Sequence, residues 1–292
     1  LCVGGAHLGV SRCDEATAIR IVHECVDAGA TFLDNAWEYN DGESERRMGK
    51  ALAMDGYRQK SFLMTKDCAH DRRADHSMWK LEDSLRRLQT DYLDLWQLHE
   101  VVWEDDVDWI FAPGGSAEAL LKAKEKGLVR YIGFTGHKDP AIHKRMLSQG
   151  FPFDAVQMPL NALDAHYKSF EQEIVPICQE QGIAVIGMKS FASGDIFEGT
   201  DLTPAEALRY SMSLPVATVV SGMDSIEVMH QNLDIARNFE PLTGAERTDI
   251  LARSAAAATG EHERFKTTYD FEGNVGRAAH GYPVKLSTIA AD

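Results

Sequence analysis

Short runs of β-branched and aliphatic residues alternate along the chain with longer segments in which apolar positions recur every three or four residues. A short continuous apolar run suits a strand buried on both faces, whereas the three-to-four spacing puts one apolar stripe on a helix. Strands are predicted at residues 1–4, 31–34, 61–65, 92–98, 129–134, 155–158, 184–188 and 216–220. A helical segment follows each. The first opens at Asp14 and Glu15 ahead of an Ile19, Val22, Val26 stripe and closes at Gly29. The others cover residues 43–54, 73–88, 117–126, 140–148, 170–181, 204–212 and 225–239. Gly127, Gly150 and Gly182 stand where a left-handed residue ends a helix. Eight strand–helix units in this length predict an α/β fold, a closed (β/α)8 barrel rather than an open sheet.

Beyond Phe239, residues 243–258 read as one more amphipathic helix, and residues 259–292 are polar and Gly-rich, so a tail that wraps the barrel or stays partly loose is expected there. Nothing in the composition divides the chain, which predicts a single domain over residues 1–292. The sequence opens at Leu1 inside a predicted strand, without an initiating Met. A trimmed start is therefore expected, and a targeting peptide ahead of it is left open.

Composition adds exclusions. The 292 residues, 44% hydrophobic and 26% charged, can bury one large core. No run reaches the roughly 18 apolar residues needed to cross a bilayer, so no membrane association is expected. A formal charge of −15, from 45 acidic and 30 basic residues, repels phosphate backbones and points to a small molecule rather than a nucleic acid. Cys2, Cys13, Cys25, Cys68 and Cys178 form no C-x-x-C pair and are odd in number, as expected of reduced thiols in a cytoplasmic protein with no zinc site. Composition leaves the oligomeric state undecided.

Barrel enzymes place their chemistry where strands end and the following loops begin, because the strands are rigid there and the loops are free to vary. Asp34 ends the second predicted strand, Tyr39 follows in its loop, Lys66 ends the third and His99 ends the fourth. Taken singly, a strand-end Asp is commonly a cap and a strand-end His a packing residue. The combination says more. A buried Lys is costly unless a carboxylate pairs with it, and Asp34 lies on the adjacent strand. A Tyr beside a Lys and a His suits proton delivery to a developing alkoxide. A free phenol, with a pKa near 10, is a poor acid at neutral pH, and the Lys66 ammonium is expected to bring that value down. His99 is expected to donate or share a hydrogen bond with the substrate oxygen. A hydride source is what these residues lack.

The segment TFLDNAWEYNDGESERRMGKAL, with LMTKD, YLDLWQLHE and VRYIGFTGH, resembles the aldo-keto reductase family from Leu1 to about Asn238. That resemblance implies a nicotinamide-dependent reduction of a small-molecule carbonyl, an aldehyde or ketone, with Asp34, Tyr39, Lys66 and His99 as the catalytic residues. Gln157 in VQMPLN and Thr135 match carboxamide-binding positions, while Gly136 replaces the family's usual Asn. In MKSFASG, Met188 stands where an aromatic ring often stacks on the nicotinamide, and Lys189, Phe191 and Gly194 belong to a loop expected along the pyrophosphate. Gly4 and Gly5 would allow close approach to the backbone. VVSGMDSIEVMHQNL resembles the adenosine-binding stretch, with Gly222, Ser225 and Asn232 in register. Many members place a Lys and an Arg for the 2'-phosphate where this chain has Gly222 and Val228, with Asp224 between. The family implies NADP; the acidic Asp224 keeps NAD open, since a carboxylate can accept from a ribose hydroxyl.

His7 and Trp37 are expected to line the substrate pocket, and the loop at residues 100–115, with Trp103, Asp105, Asp106, Asp108, Trp109 and Phe111, to give it an apolar wall and a charged rim. A metal-dependent hydrolase on the same barrel is disfavoured, because His7, His99 and His137 lack evident carboxylate partners. A cofactor-binding regulatory or redox-sensing barrel with little turnover is the second alternative, suggested by Gly136, Met188 and Val228.

Overall fold

A computed structural model describes residues 1–269 and 274–284. Eight parallel strands close in sequence order into a barrel. They are β1 (Cys2–Gly4), β2 (Phe32–Asp34), β3 (Phe62–Lys66), β4 (Leu93–Leu98), β5 (Val129–Thr135), β6 (Ala155–Pro159), β7 (Ala184–Met188) and β8 (Thr218–Gly222). Closure is made by β1 on β8, with Cys2 opposite Val220 and Gly4 opposite Gly222.

Side chains alternate between the two faces of a strand. Cys2, Met64, Leu95, Ala155 and Ile186 form a small cluster of their own, with Phe32, Phe62 and Val220 packed against it. The period of two carries the same face upward from this apolar floor. Asp34 lies two residues beyond Phe32, Lys66 two beyond Met64, Gln97 and His99 two and four beyond Leu95, and Gln157 two beyond Ala155. An apolar floor with a polar rim at the C-terminal end of the strands follows directly from that spacing.

The outward strand faces pack on the helix stripes to form the larger core. The principal helices are α1 (Glu15–Asp27), α2 (Glu43–Leu52), α3 (Ala74–Arg87), α4 (Ser116–Glu125), α5 (Pro140–Leu147), α6 (Val175–Gln181), α7 (Pro204–Met212), α8 (Ile226–Arg237) and α9 (Gly244–Ser254). Asp14 caps α1 by accepting from the Thr17 N–H at 2.7 Å, and Thr203 and Thr243 form reciprocal capping boxes with Glu206 and Glu246.

Three expectations are corrected. The helix predicted at residues 170–181 is two, Phe170–Glu173 and Val175–Gln181. Pro176 lacks an N–H and its ring excludes the preceding turn, so a new helix starts at Val175 with Pro176 in its first turn. The last strand runs two residues later than predicted, after a tight turn in which Val216 N–H bonds Leu214 O at 2.7 Å. The loop at residues 100–115 contains a short helix, Asp106–Phe111, hidden in the sequence by its acidic residues.

Of the expected tail at 259–292, residues 270–273 and 285–292 lie outside the described residues. The rest lies over the barrel. Arg277 is fully buried and pairs with Asp106 at 2.7 Å and Asp105 at 2.6 Å, while Trp103 packs on Tyr269 at 4.6 Å. Lys266 meets Asp164, in the loop after β6, at 2.6 Å and Glu263 at 2.9 Å, all three buried. Asn161 donates both to Glu263 and to the Lys189 carbonyl, so the C-terminal segment braces the loop after β7.

Burial pushes the Asp164 carboxyl up to about 7 despite Lys266. The native state then binds this proton more tightly than the unfolded chain, so Asp164's contribution to stability is present at low pH and declines as pH rises from about 4 through 7. Urea unfolding at pH 5 and pH 7 is expected to show a smaller pH difference in Asp164→Asn than in the parent. An unchanged difference would assign the slope to other groups.

Candidate functional site

Asp34, Lys66, Tyr39 and His99 meet at the C-terminal end of the barrel. Lys66 Nζ bonds Asp34 Oδ1, donates to Asn35 O at 2.7 Å and lies 3.3 Å from Tyr39 Oη. The edges of the Tyr39 and His99 rings meet, with centroids 5.5 Å apart. Tyr39 is carried in by a sharp turn in which Asn40 and Asp41 take the left-handed conformation, at φ of 52° and 55°. Such conformations cost energy in non-glycine residues and persist where surrounding contacts over-determine them. Asn40 supplies one, donating to Ala6 O at 2.7 Å.

The electrostatics correct one expectation. Burial raises the Tyr39 hydroxyl, and the nearby Asp34 charge adds to the rise; the Lys66 ammonium offsets only part of it, leaving the phenol pushed up to about 12. Burial, invisible in the sequence, outweighs the ammonium. For Lys66 the balance is reversed. Its pKa would fall on burial, yet Asp34 and Tyr39 hold it above the usual lysine range, so the ammonium stays charged.

Glu38, one residue before Tyr39, was not foreseen. Its Oε2 lies 2.9 Å from His99 Nδ1, while Oε1 lies 3.0 Å from His70 Nε2 and accepts from the Ala69 N–H at 3.0 Å. Burial alone would raise this carboxyl; hydrogen bonds from His70 and His99 hold it well below the ordinary range. His99 therefore does have a carboxylate partner, contrary to the expectation from sequence. Glu38, Cys68 and His70 also bring three potential ligand atoms within 4.8 Å of one another, a grouping that spacing along the chain did not reveal.

Two cavities open at this mouth, and Tyr39 lines both. One, of about 550 Å³, is bounded by Trp37, Glu38, His70, His99, Glu100 and Arg87. Trp37 is set there by a 2.9 Å bond from its indole N–H to Asp83. The other, of about 460 Å³, runs from Asp34 and Gln157 past Met188, Lys189 and Phe191 to Gly194. Gly222, Asp224 and Asn232 line its far end, with Val228 and Gln231 beside them. His7 lies on this second cavity, not on the first as expected from sequence.

The second cavity fits an extended dinucleotide. Lys189, Ala192, Ser193 and Gly194 have φ of 56°, 48°, 66° and 107°. These left-handed residues fold the loop tightly, with the Ala192 and Gly194 N–H groups bonding the Lys189 and Phe191 carbonyls, and its small side chains let a ligand come close to the backbone. Ser190 Oγ is buried there with no hydrogen-bond partner among the described residues. A Cβ at Gly222 would come within 2.3 Å of the His7 ring, so glycine keeps this wall open. Gln97 donates to Gln157 Oε1 at 2.8 Å and so fixes that carboxamide's orientation.

Gly5 and Thr135 are outside the lining. Gly5 packs beneath it, where a Cβ would meet Asp34 O at 2.3 Å, and Thr135 is buried against Met188. Gly136 leaves no room for the Asn it replaces, because a Cβ would lie 2.4 Å from Val101 O. Arg12, also unforeseen, bonds Asp224 across the open end of the cleft.

Residues 1–208 match the model of the aldo/keto reductase family. The chain belongs to that family. It is 31% identical over 222 residues to the aldo-keto reductase YhdN of Bacillus subtilis (strain 168), spanning 68% of this chain and 62% of that relative. Among solved structures it is similar to the holo form of the aldo-keto reductase AKR11C1 from Bacillus halodurans, at 28% identity and a TM-score of 0.74, covering 90% of this chain and 94% of that chain. An aldo/keto reductase from Klebsiella pneumoniae, solved in complex with NADP and acetate, shares the fold at 23% identity and a TM-score of 0.71, covering 87% and 90%.

Proposed function

We propose that this reductase converts an aldehyde or ketone to an alcohol, with Tyr39 as the proton donor and NADP as the cofactor form. The observation that carries the reading is the position of Tyr39, whose side chain borders both cavities and whose Oη lies 3.3 Å from Lys66 Nζ. A cofactor in the second cavity and a carbonyl in the first then meet at one hydroxyl. NADP is also the form held in the Klebsiella complex of this fold.

The cofactor, when bound, supplies the hydride. Gln157 would hold its carboxamide, the 189–194 loop its phosphates, and Gly222 with Asn232 its adenosine end. Tyr39 remains a phenol at neutral pH, since its value lies at about 12. As charge gathers on the substrate oxygen, that oxygen becomes a stronger base than a phenolate, and the proton passes to it from Oη. Lys66 stabilises the phenolate left behind, and Asp34 keeps Lys66 charged and aimed. Trp37 excludes water from one side of the first cavity, whereas Trp103, expected on that wall, is instead buried against Tyr269 and Arg277.

The reading is tested by following oxidation of NADPH and NADH with a panel of aldehydes and ketones. Turnover supports it. Tight cofactor binding with no turnover on any carbonyl would instead favour the regulatory barrel, which the tight fit at Gly136 and the thioether of Met188 also suit.

The cofactor form has its own test. Asp224 places a carboxylate at the open end of the cleft, where it would repel a 2'-phosphate, and it occupies the Arg12 guanidinium. Asp224→Ala removes the repulsion and frees Arg12, and Val228→Arg adds a cation. Each is expected to strengthen NADPH binding relative to NADH, read as the ratio of dissociation constants from fluorescence quenching. An unchanged ratio in both variants would place phosphate recognition elsewhere.

A further inference from the structure

We propose that Glu38 is a positioning residue that fixes the tautomer of His99 and thereby decides which of its nitrogens meets the substrate. The proposal rests on the reading of carbonyl reduction given above.

The geometry leaves Glu38 little freedom. Oε2 is 2.9 Å from His99 Nδ1. Oε1 takes the Ala69 N–H at 3.0 Å and the Cys68 thiol at 3.3 Å, and it lies 3.0 Å from His70 Nε2. Donors from the loop after β3 thus hold one oxygen, and the end of β4 holds the other. Lys66 and Asp34 face this group across Tyr39, Glu100 follows His99, and His280 stacks on His70 at 5.2 Å. His280 in turn lies 3.6 Å from Asp71.

An ionised carboxylate only accepts hydrogen bonds. Nδ1 of His99 therefore carries its proton whether the ring is neutral or charged. Nε2 is then the nitrogen left for substrate. A neutral ring presents a bare lone pair there; an imidazolium presents an N–H. The oxygen of a carbonyl needs a donor, and the hydroxyl of an alcohol needs an acceptor. Reduction therefore uses the imidazolium, and oxidation of the alcohol uses the neutral ring. This refines the expectation from sequence that His99 donates or shares a hydrogen bond with the substrate oxygen.

In the reductive direction the Tyr39 O–H bond breaks as the new alcohol O–H bond forms. His99 keeps its proton and contributes only a hydrogen bond to the same oxygen. The balance needs nothing beyond the reduced nicotinamide cofactor already assigned.

Glu38→Gln is the deciding variant. An amide can donate as well as accept, so it no longer dictates which His99 nitrogen carries hydrogen. Glu38→Asp retains a carboxylate and serves as the conservative rescue. Glu38→Gln is expected to lower kcat for reduction by about 10- to 100-fold and to leave the cofactor dissociation constant unchanged. Glu38→Asp should recover part of that loss.

Nitrogen-15 NMR of the imidazoles, with His99→Asn to identify the signal, reads the tautomer without any turnover. Neutral His99 protonated at Nδ1 supports the proposal. Neutral His99 protonated at Nε2, or Glu38→Gln with the parent's kcat and the parent's tautomer, overturns it. Should no carbonyl be reduced at all, the functional reading fails, while the NMR result still decides the role of Glu38.

Discussion

Tyr39→Phe is expected to lower carbonyl reduction by about 10²–10⁴-fold, the usual contribution of a positioned general acid, while cofactor binding stays unchanged. The substitution removes one hydroxyl and leaves the ring against His99, so the cavities keep their shape. The loss should fall on kcat, because Tyr39 Oη makes its decisive interaction only as charge develops on the substrate oxygen. The phenol is held at about 12, so the parent should show no loss of activity from Tyr39 ionisation at or below neutral pH. Steady-state kinetics beside a cofactor titration checks both parts. A variant with the parent's kcat would remove Tyr39 as the proton donor.

Asp34→Ala is expected to be the most destabilising single change at the site, costing about 3–5 kcal/mol, because it strands the Lys66 ammonium in a buried position. Lys66 is 1% exposed and would retain only Asn35 O and Tyr39 Oη as acceptors. Lys66→Met in the same chain removes the stranded charge. The double variant is therefore expected to be more stable than Asp34→Ala alone, and a double-mutant cycle by denaturant unfolding measures the coupling. Additive losses would mean that the two side chains do not depend on one another. Asp34→Ala should also depress kcat, since an uncharged or misdirected Lys66 no longer stabilises the phenolate.

The alternation of apolar runs and helical stripes made the barrel legible, and the two-residue period of its strands brought Asp34, Lys66, His99 and Gln157 to one mouth. Position at a strand end was sufficient for Asp34, Lys66 and His99 because the backbone fixes where such side chains go, whereas Gln157, inside β6, was assigned from the family resemblance. Loop residues carry no comparable signal. Glu38 lies between Trp37 and Tyr39 in a turn whose left-handed residues, Asn40 and Asp41, no spacing rule anticipates. Arg12 and Asp224 are brought together only by barrel closure, and Arg277 reaches Asp105 and Asp106 from far along the chain. The acidity of Tyr39 was misjudged for a related reason: the sequence shows the ammonium beside it but not the burial that outweighs the ammonium. Pro176, in the middle of the helix predicted at residues 170–181, was a readable signal for the break at Ile174.

A hydride and a proton converging beside one phenol is the claim on which the rest depends. Reduced nicotinamide cofactor carrying deuterium at both C4 positions, incubated with the enzyme and a turned-over aldehyde or ketone, tests it by mass spectrometry of the alcohol. One deuterium on the carbinol carbon is predicted. Alcohol formed without deuterium, or bound cofactor that is never oxidised by any carbonyl, would contradict the account.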